Sequence, residues 1–375
     1  MQKKWSDKFV IGLTGNIGTG KSVVRRMLEH LGAFGIDADL IGHQAIEPGC
    51  AGYHQVVDDF GVDILTDGAE IDRKKLGEIV FSSPEKLEDL EKIIHPLVIE
   101  KINQLIQNSF SPVVVIEAIK LLEANIAHSC DSIWVTWVSE EQQINRLIQS
   151  RRMTYKDAQN RVSVQSPQID KLRKADLIIR TGDSFEDTWN QVVAGWKNLL
   201  PKDISNQVIR SNGSLEKSSG FSIIRATPAQ SDWIAHFLQG IPGDERQITS
   251  SQITAKLSEK AILLIIKDGK ISGILEWYGE RRISETTGII LDTEVQVETI
   301  LPLLINRMEK ISLDYHCKLA LVVPGKKLLM MAKLWKDLGY HAIQLDELID
   351  VSWQKAAYNL ARLDDGLLFK VFGDP

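Results

Sequence analysis

The feature that most constrains the fold is a short segment that fits the pattern G-x-x-x-x-G-K-[ST], Gly15-Asn16-Ile17-Gly18-Thr19-Gly20-Lys21-Ser22. An apolar run at residues 9–13 predicts a strand before it, and an amphipathic stretch at residues 20–31 predicts a helix after it. Glycines let such a turn bend until successive N–H groups point inward, and the start of the helix adds its positive dipole end. The sequence therefore predicts a phosphate loop.

Two side chains of this loop indicate which ligands it takes. Lys21 supplies a mobile positive charge to the β- and γ-phosphates of a nucleotide, and Ser22 places a hydroxyl on Mg²⁺. The guanine-recognition pattern Asn-Lys-x-Asp does not occur in the sequence. We therefore expect ATP and Mg²⁺ as cofactors, although the loop alone does not specify the reaction.

Apolar runs of strand length alternate with helical patterns over the first 200 residues. Further strands are predicted at residues 34–37, 113–116, 132–138 and 177–179, and a closing helix at residues 185–199. This alternation predicts an α/β fold with a parallel sheet covered on both faces. A simple crossover needs about a dozen residues, yet a long helical insertion separates the second strand from the third. The insertion either holds an acceptor molecule or only elaborates the structure.

Carboxylates are predicted beside the phosphate loop, because the carboxyl ends of parallel strands form the ligand crevice. Asp37 and Asp39 lie at the end of the second strand, and Glu117 lies at the end of the third. A carboxylate in this place accepts a proton from an attacking hydroxyl or holds a metal ion through water. The alternative for Asp37 and Asp39 is a helix N-cap, and for Glu117 a surface carboxylate.

A basic stretch at residues 140–174 carries eight basic and four acidic residues. Arginines on a mobile helical segment suit a lid that closes over ATP and neutralises charge on the transferring phosphoryl group. Most of these side chains are expected to form a solvated face. Arg146 and Arg151 are the candidates for catalytic contacts.

Length and composition favour two domains and a small-molecule substrate. A chain of 375 residues exceeds one ordinary core, and the polar, turn-forming residues 201–220 have the composition of a linker. We expect a first domain at 1–203, a linker at 204–220 and a separate α+β domain at 221–375. The net charge of −6 argues against a nucleic-acid partner. Without a long apolar stretch or a signal-peptide pattern, we expect a cytoplasmic protein with no membrane association and leave its oligomeric state open.

Together these segments resemble the dephospho-CoA kinase family over roughly residues 9–200. Beyond the phosphate loop, the resemblance rests on Asp37-Ala38-Asp39-Leu40-Ile41, Phe60-Gly61, Asp72-Arg73, Ile94-His95-Pro96, Gln143 with Arg146, Arg161-Val162-x-x-Gln165, and Ala175-Asp176. The family implies a P-loop kinase that uses ATP and Mg²⁺ to phosphorylate the ribose 3′-hydroxyl of dephospho-CoA. By the resemblance, Asp39 is the base near that hydroxyl.

The resemblance also implies further roles and shows three departures. It implies a lid arginine at Arg146 or Arg151, and acceptor-binding residues at Asp37, Arg73 and His95. Ile99 stands where the family usually has an arginine shortly after His-Pro. Ile119-Lys120 replaces part of the usual Pro-Leu-Leu-Phe-Glu, and Thr181 replaces the usual asparagine after Ala-Asp.

The second domain resembles the GNAT acetyltransferase fold. The resemblance rests on Ile224-Arg225-Ala226-Thr227-Pro228, on a predicted Asp268-Gly269 hairpin turn, and on Leu334-Trp335-Lys336-Asp337-Leu338-Gly339-Tyr340. That family binds the pyrophosphate of acetyl-CoA at a glycine-rich turn before its central helix. The corresponding residues 292–297 contain no glycine, and Asp292 and Glu294 would repel a pyrophosphate. We therefore expect a GNAT-like domain without acetyltransferase activity.

Two alternatives to a dephospho-CoA kinase stay open at this point. One is a P-loop kinase for another hydroxylated metabolite or nucleotide. The other is a CoA-sensing or partner-binding protein whose kinase half is degenerate.

Overall fold

The structure of the chain is a computed structural model. It describes residues 4–5, 7–109, 111–124, 126–201, 204, 220–241, 248–280, 282–315, 317–342, 348, 351–361 and 366–373. The linker predicted at 204–220 lies outside these residues apart from its two ends. The chain divides into two compact units, Met1–Glu29 with Ala33–Ser205, and His30–Gly32 with Asn206–Pro375. The domain bounds at 203 and 221 stay a proposal.

The first unit is built on a parallel sheet with the strand order β2-β3-β1-β4-β5. The strands are β1 (Phe9–Thr14), β2 (Phe34–Asp37), β3 (Val113–Glu117), β4 (Ser132–Trp137) and β5 (Leu177–Arg180). Every residue of β1 and β3 is buried, as expected for central strands covered on both faces. Leu13 and Asp37 both lie opposite Glu117 in register. The register therefore aligns the carboxyl ends of β1, β2 and β3 at one edge.

Nine helices of the described residues surround this sheet. They are α1 (Lys21–His30), α2 (Ala38–Gln44), α3 (Ala51–Phe60), α4 (Arg73–Ser82), α5 (Pro84–Asn108), α6 (Glu140–Arg151), α7 (Tyr155–Ser163), α8 (Gln168–Leu172) and α9 (Phe185–Leu199). Short 3₁₀ turns lie at Val62–Ile64 and Ile126–Ser129. Helices α2 to α5 form the predicted insertion, and α6 to α8 form the region predicted as a lid.

The insertion has a small apolar core of its own, made by Ile46, Tyr53, Val56, Ile64, Ile71, Leu76 and Val80. Two of its helices begin where side chains accept hydrogen bonds from otherwise unsatisfied N–H groups. Asp72 caps α4, and Ser83 caps α5 just before Pro84. These caps explain where α4 and α5 start.

The second unit is a mixed sheet with the strand order β11-β12-β10-β9-β8-β7-β6. Its strands are β6 (Phe221–Arg225), β7 (Ala261–Lys267), β8 (Lys270–Glu280), β9 (Ile283–Leu291), β10 (Leu319–Val322), β11 (His341–Ala342) and β12 (Leu368–Val371). Neighbouring strands pair antiparallel except β9 and β10, which pair parallel. The predicted hairpin turn is confirmed, because Asp268 (φ 48°) and Gly269 (φ 74°) join β7 to β8 with positive φ.

The helices of the second unit are α10 (Ser231–Gln239), α11 (Ser250–Leu257), α12 (Val297–Asp314), α13 (Lys326–Leu329), α14 (Ala332–Asp337) and α15 (Val351–Ala361), with a 3₁₀ turn at Pro228–Gln230. Helix α12 buries Ile300, Leu304 and Met308 at helical spacing in the core beside the sheet. The predicted separate domain of mixed strands and helices is confirmed. Within the described residues, no helix is both long and apolar enough to cross a membrane.

One predicted helix of this unit is wrong. The sequence predicts a single helix at residues 326–338, but the structure has α13 and α14 with a break between them. The carbonyl of Leu328 accepts from the N–H of Met331 at 3.1 Å and from the indole N–H of Trp335 at 2.8 Å. The buried indole thus occupies a carbonyl that an unbroken helix would use. Strands β11 and β12 and helix α15 were not predicted, because short strands depend on their pairing partner more than on local pattern.

A fragment of residues 1–203 is expected to fold alone, with one cooperative thermal transition in far-UV circular dichroism. A fragment of residues 1–183, which lacks α9, is the control. Helix α9 buries Trp189, Val192 and Trp196, and each such side chain contributes about 2 kcal/mol. Their loss would consume most of the usual stability of a domain, so the shorter fragment should be unfolded. An unfolded 1–203 fragment would contradict the proposed domain bounds.

Candidate active site

The phosphate loop links the end of β1 to the start of α1 through three glycines with positive φ, Gly15 (152°), Gly18 (75°) and Gly20 (84°). The space around two of them is also closed. A Cβ at Gly15 would lie 2.7 Å from the carbonyl oxygen of Thr136, and one at Gly18 would lie 3.1 Å from that of Gln143. Both the conformation and the close approach therefore require glycine.

Hydroxyl groups hold the loop from inside. Thr19 Oγ1 donates to the carbonyl of Asn16 at 2.7 Å and lies 2.7 Å from Thr136 Oγ1 on β4. Thr181, which follows β5, donates from its hydroxyl to the carbonyl of Thr19 at 2.7 Å. The loop conformation is thus fixed by both strands that lie on one side of β1.

The segment after α7 also binds the loop. Gln165 Oε1 accepts from the N–H of Ile17 at 2.7 Å, and Asn16 Nδ2 donates to the carbonyl of Ser166 at 3.0 Å. Ile17 packs with Ile144 of α6 and Val162 of α7 in one apolar cluster. The region predicted as a lid therefore lies directly on the phosphate loop.

Lys21 is the first residue of α1, and its side chain is buried. Burial lowers its pKa, and the charge of Arg151 acts in the same direction, whereas the carboxylates of Glu117, Asp39 and Asp37 oppose this shift. The Lys21 ammonium donates weakly to the carbonyl of Asn16 at 3.4 Å. A cation poised among three carboxylates at the loop is suited to a phosphate ligand.

Ser22 and Glu117 form the floor of the site. Ser22 Oγ donates to Glu117 Oε1 at 2.8 Å, and Arg25 Nε donates to Glu117 Oε2 at 2.8 Å. Arg25 also pairs with Glu29 one turn later on α1. Burial lowers the pKa of Arg25, but the Glu29 and Glu117 carboxylates outweigh this effect and raise it. Glu117 is therefore a buried carboxylate with two partners rather than a surface group.

The two aspartates after β2 have different environments. Asp37 is the N-cap of α2 and accepts from the N–H of Leu40 at 2.9 Å. Asp39 accepts from the N–H of Ile119 at 3.1 and 3.3 Å. Burial raises the pKa of Asp39 to about 6, with Asp37 and Glu117 adding to the rise and Lys21 and the Ile119 N–H opposing it. The cap alternative thus applies to Asp37, while Asp39 faces the charges of the loop.

The two lid arginines also differ. Arg146 donates to the carbonyl of Gly18 at 3.1 Å, to Thr181 Oγ1 at 3.2 Å and to the carbonyl of Thr181. Arg151 is exposed at the end of α6, and its charge is near enough to affect Lys21. Arg146 therefore braces the loop, whereas Arg151 is open to solvent beside it.

The predicted acceptor residues of the insertion lie on two of its helices. Arg73 begins α4, is about half exposed, and pairs with Glu47 at 3.6 Å. His95 is half-buried on α5. Their role as acceptor-binding residues stays a prediction.

Comparison with known proteins places this site in a family. The sequence profile of dephospho-CoA kinase matches residues 9–187. A dephospho-CoA kinase of Carboxydothermus hydrogenoformans is 40% identical over 201 residues, which cover 53% of this chain and 98% of that protein. The chain belongs to the dephospho-CoA kinase family.

Solved structures resemble each half of the chain. A dephospho-CoA kinase from Campylobacter jejuni is 26% identical, with a TM-score of 0.38, and covers 53% of this chain and 98% of its own. A GNAT-family acetyltransferase from Streptococcus pneumoniae is 15% identical, with a TM-score of 0.31, and covers 41% of this chain and 99% of its own.

Sequence reasoning missed several residues of this kinase site. Gln165 belongs to the motif that carries the resemblance, but nothing in the motif indicates its bond to Ile17. Lys171 is one of the basic residues at 140–174, yet it is buried and donates to the carbonyl of Ile119 at 2.7 Å. In the sequence, Lys171 looks like the other basic residues of this stretch, such as Lys156 and Arg173. Nothing local indicates that it is buried, since charged residues in such runs are usually solvated.

In the second unit, residues 292–296 connect β9 to α12, so the segment 292–297 leads into this helix, as the resemblance to GNAT proteins predicts. Asp292 Oδ1 accepts from the N–H of Glu294 at 3.2 Å. An acid of the turn itself thus occupies an N–H group before the helix. This contact supports the expectation that the turn does not bind an anion.

Replacing Lys21 with alanine should lower kinase turnover by roughly 10²-fold or more, because the ammonium stabilises charge that develops on the transferring phosphoryl group. The fold should persist, since burial already disfavours the charged lysine. Lys156→Ala, at an exposed position of α7, is the matched control. Steady-state kinetics and thermal unfolding measure both effects, and near wild-type turnover of Lys21→Ala would exclude this role.

Proposed function

We propose that this protein transfers the γ-phosphoryl group of ATP to the ribose 3′-hydroxyl of dephospho-CoA, the last step of coenzyme A biosynthesis. The observation that carries the proposal is the position of Asp39. Its half-buried carboxylate interacts with the charge of the phosphate-loop lysine, and partial removal from water raises its pKa to about 6. The family membership supports a kinase, and the alcohol acceptor is part of the proposal.

Asp39 serves as the base in this proposal. A carboxylate whose pKa is about 6 is ionised at pH 7 and is more basic than an ordinary aspartate. The Ile119 N–H fixes one side of the carboxylate and leaves further lone pairs for an incoming hydroxyl. The hydroxyl proton passes to Asp39 as the oxygen attacks the γ-phosphorus, and the bond from that phosphorus to the bridging β-phosphate oxygen breaks to release ADP.

The residues of the loop fit ATP and Mg²⁺. The positive φ angles at Gly15, Gly18 and Gly20 bend the loop so that backbone N–H groups can approach phosphates, and a Cβ at Gly15 would collide with Thr136 and Thr19. The Ser22 hydroxyl and the Glu117 carboxylate are oxygen ligands of the kind that Mg²⁺ prefers. When bound, the metal ion would neutralise charge on the β- and γ-phosphates.

Acceptor binding is assigned to the insertion. Dephospho-CoA carries a pyrophosphate, and Arg73 offers a half-exposed guanidinium whose pairing with Glu47 at 3.6 Å is weak enough to exchange. We assign Asp37 and His95 to the same acceptor. Of the lid arginines, Arg151 contacts the transferring phosphoryl group and Arg146 keeps the loop in shape, so both support catalysis.

The net charge of −6 favours this phosphorylated small molecule over nucleic acid as the substrate. The cytoplasm, where ATP is available, is the expected location. An acceptor screen with purified protein, ATP and Mg²⁺ separates this proposal from its alternatives. If only another metabolite is phosphorylated, the protein is a P-loop kinase for that metabolite. If nothing is phosphorylated, the protein is a CoA-sensing or partner-binding protein with a degenerate kinase half.

Replacing Asp39 with asparagine should lower kcat by roughly 10²- to 10⁴-fold, the usual range for a general base. In the wild type, kcat/KM should rise with pH through about 6, because the carboxylate must lose its proton before it can accept another. The asparagine variant should lack this rise of kcat/KM with pH, called the acid limb below. Its binding of ATP, measured by calorimetry, should persist.

Asp37→Asn is the comparison variant: it should weaken acceptor binding, to which Asp37 is assigned, but should keep the rise of kcat/KM with pH. Asparagine caps helices as well as aspartate does, so α2 should keep its start. If Asp37→Asn removes the acid limb and Asp39→Asn does not, the base has been assigned to the wrong carboxylate.

A fragment of residues 219–375 should transfer no acetyl group from acetyl-CoA to amine substrates, because the acidic turn at 292–297 disfavours a pyrophosphate. The full chain is assayed in parallel, so that a fragment that fails to fold does not decide the result. Acetyl transfer by either protein would show that glycine is not needed in this turn.

A further inference from the structure

Lys171 is an unusual residue for a segment of charged helices. It lies on α8 with 3% of its surface exposed, whereas Lys174, three residues later, is exposed. Lysine is almost never fully buried unless it is paired. The Lys171 ammonium donates to the carbonyl of Ile119, just after β3, at 2.7 Å.

Ile119 connects this lysine to the base. Its carbonyl accepts from Lys171 and also from Thr14 Oγ1 at 3.1 Å, while its N–H donates to the Asp39 carboxylate at 3.1 and 3.3 Å. The N–H and the carbonyl lie in the two peptide units that flank the Ile119 Cα, so a shift of this short backbone segment displaces both groups. The position of Asp39 thus depends on the groups that hold the Ile119 carbonyl.

The segment that presents Lys171 is itself fixed to the sheet and the loop. Gln168 Nε2 donates to the carbonyl of Val138 after β4 at 3.2 Å. Upstream, the Gln165 and Ser166 contacts with the phosphate loop hold the same segment. The segment of the predicted lid that contacts the phosphate loop therefore also places Lys171 against Ile119.

Several charged groups face these two residues. Burial lowers the pKa of Lys171, Lys21 and Lys120 add to this effect, and Glu123 and Asp39 oppose it. Around Asp39 the charged groups are Lys21 of α1, Asp37 after β2 and Glu117 of β3. Lys171 and Asp39 attract each other, so the lysine favours the ionised carboxylate.

We propose that Lys171 is a positioning residue for the base Asp39, acting through the backbone of Ile119 and through its own charge. This inference rests on the proposed function, in which Asp39 is the base. In this proposal the lid covers ATP and also orients the Asp39 carboxylate, because the lid segment that carries Lys171 contacts the phosphate loop.

The test compares Lys171→Met and Lys171→Arg with Lys174→Met, an exposed control on the same segment. Lys171→Met should lower kcat by about tenfold or more, since small displacements of a catalytic group are costly, and leave the KM for ATP within about twofold. Its acid limb in kcat/KM should move to higher pH, because both the lost charge and the lost Ile119 contact favour protonated Asp39. Lys171→Arg should keep the wild-type pH dependence of kcat/KM. Lys174→Met should match the wild type in kcat, in the KM for ATP and in pH dependence.

Other outcomes would overturn the inference. If Lys171→Met loses activity at every pH and the acid side of its kcat/KM profile does not move, the lysine only stabilises the fold. If the kinetics of Lys171→Met are unchanged, the lysine has no role. If Lys171→Met does not fold by circular dichroism, Lys171→Gln takes its place with the same expected limb. Failure of the wild type and Lys174→Met to phosphorylate dephospho-CoA would instead refute the proposed function.

Discussion

The site depends on how the chain accommodates the buried carboxylate of Glu117. A buried charge is costly unless it is paired and hydrogen-bonded, and Glu117 has partners for both of its oxygens, Ser22 and Arg25. Both partners lie on the first turns of α1. The pairing therefore fixes the start of α1 against the end of β3, which places Lys21 at the mouth of the loop. Arg25 in turn is paired with Glu29 one turn later on α1, so its guanidinium contacts two carboxylates.

The remaining contacts of the loop are long-range and mostly involve backbone groups. The carbonyls of Gly18 and Thr19 accept from Arg146 and Thr181, and the N–H of Ile17 donates to Gln165. Each of these contacts joins the loop to a different element after β4. The loop conformation is thus a property of the whole first unit, although its glycines are local in sequence.

The elements that could be predicted from the sequence are those that depend on residues close together in the chain. The phosphate loop follows from the spacing of its glycines, and strand β2 and helix α9 have the predicted bounds. Lys171 could not be found in this way, because its burial depends on Ile119, which is 52 positions away. The break before α14 likewise depends on where the Trp335 indole packs, and no spacing rule includes that contact.

The departures from the family pattern can be judged by what those positions do. Ile119 acts through its N–H and carbonyl, so a change of its side chain leaves both bonds to Asp39 and Lys171 in place. Thr181 acts through a hydroxyl that both donates to the loop and accepts from Arg146. Ile99 lines a cavity together with Trp5, Ile102 and Ile126, and Lys4, Asn103 and Ser129 supply polar groups to the same cavity. The backbone bonds of Ile119 and the hydroxyl bonds of Thr181 are therefore compatible with these two substitutions.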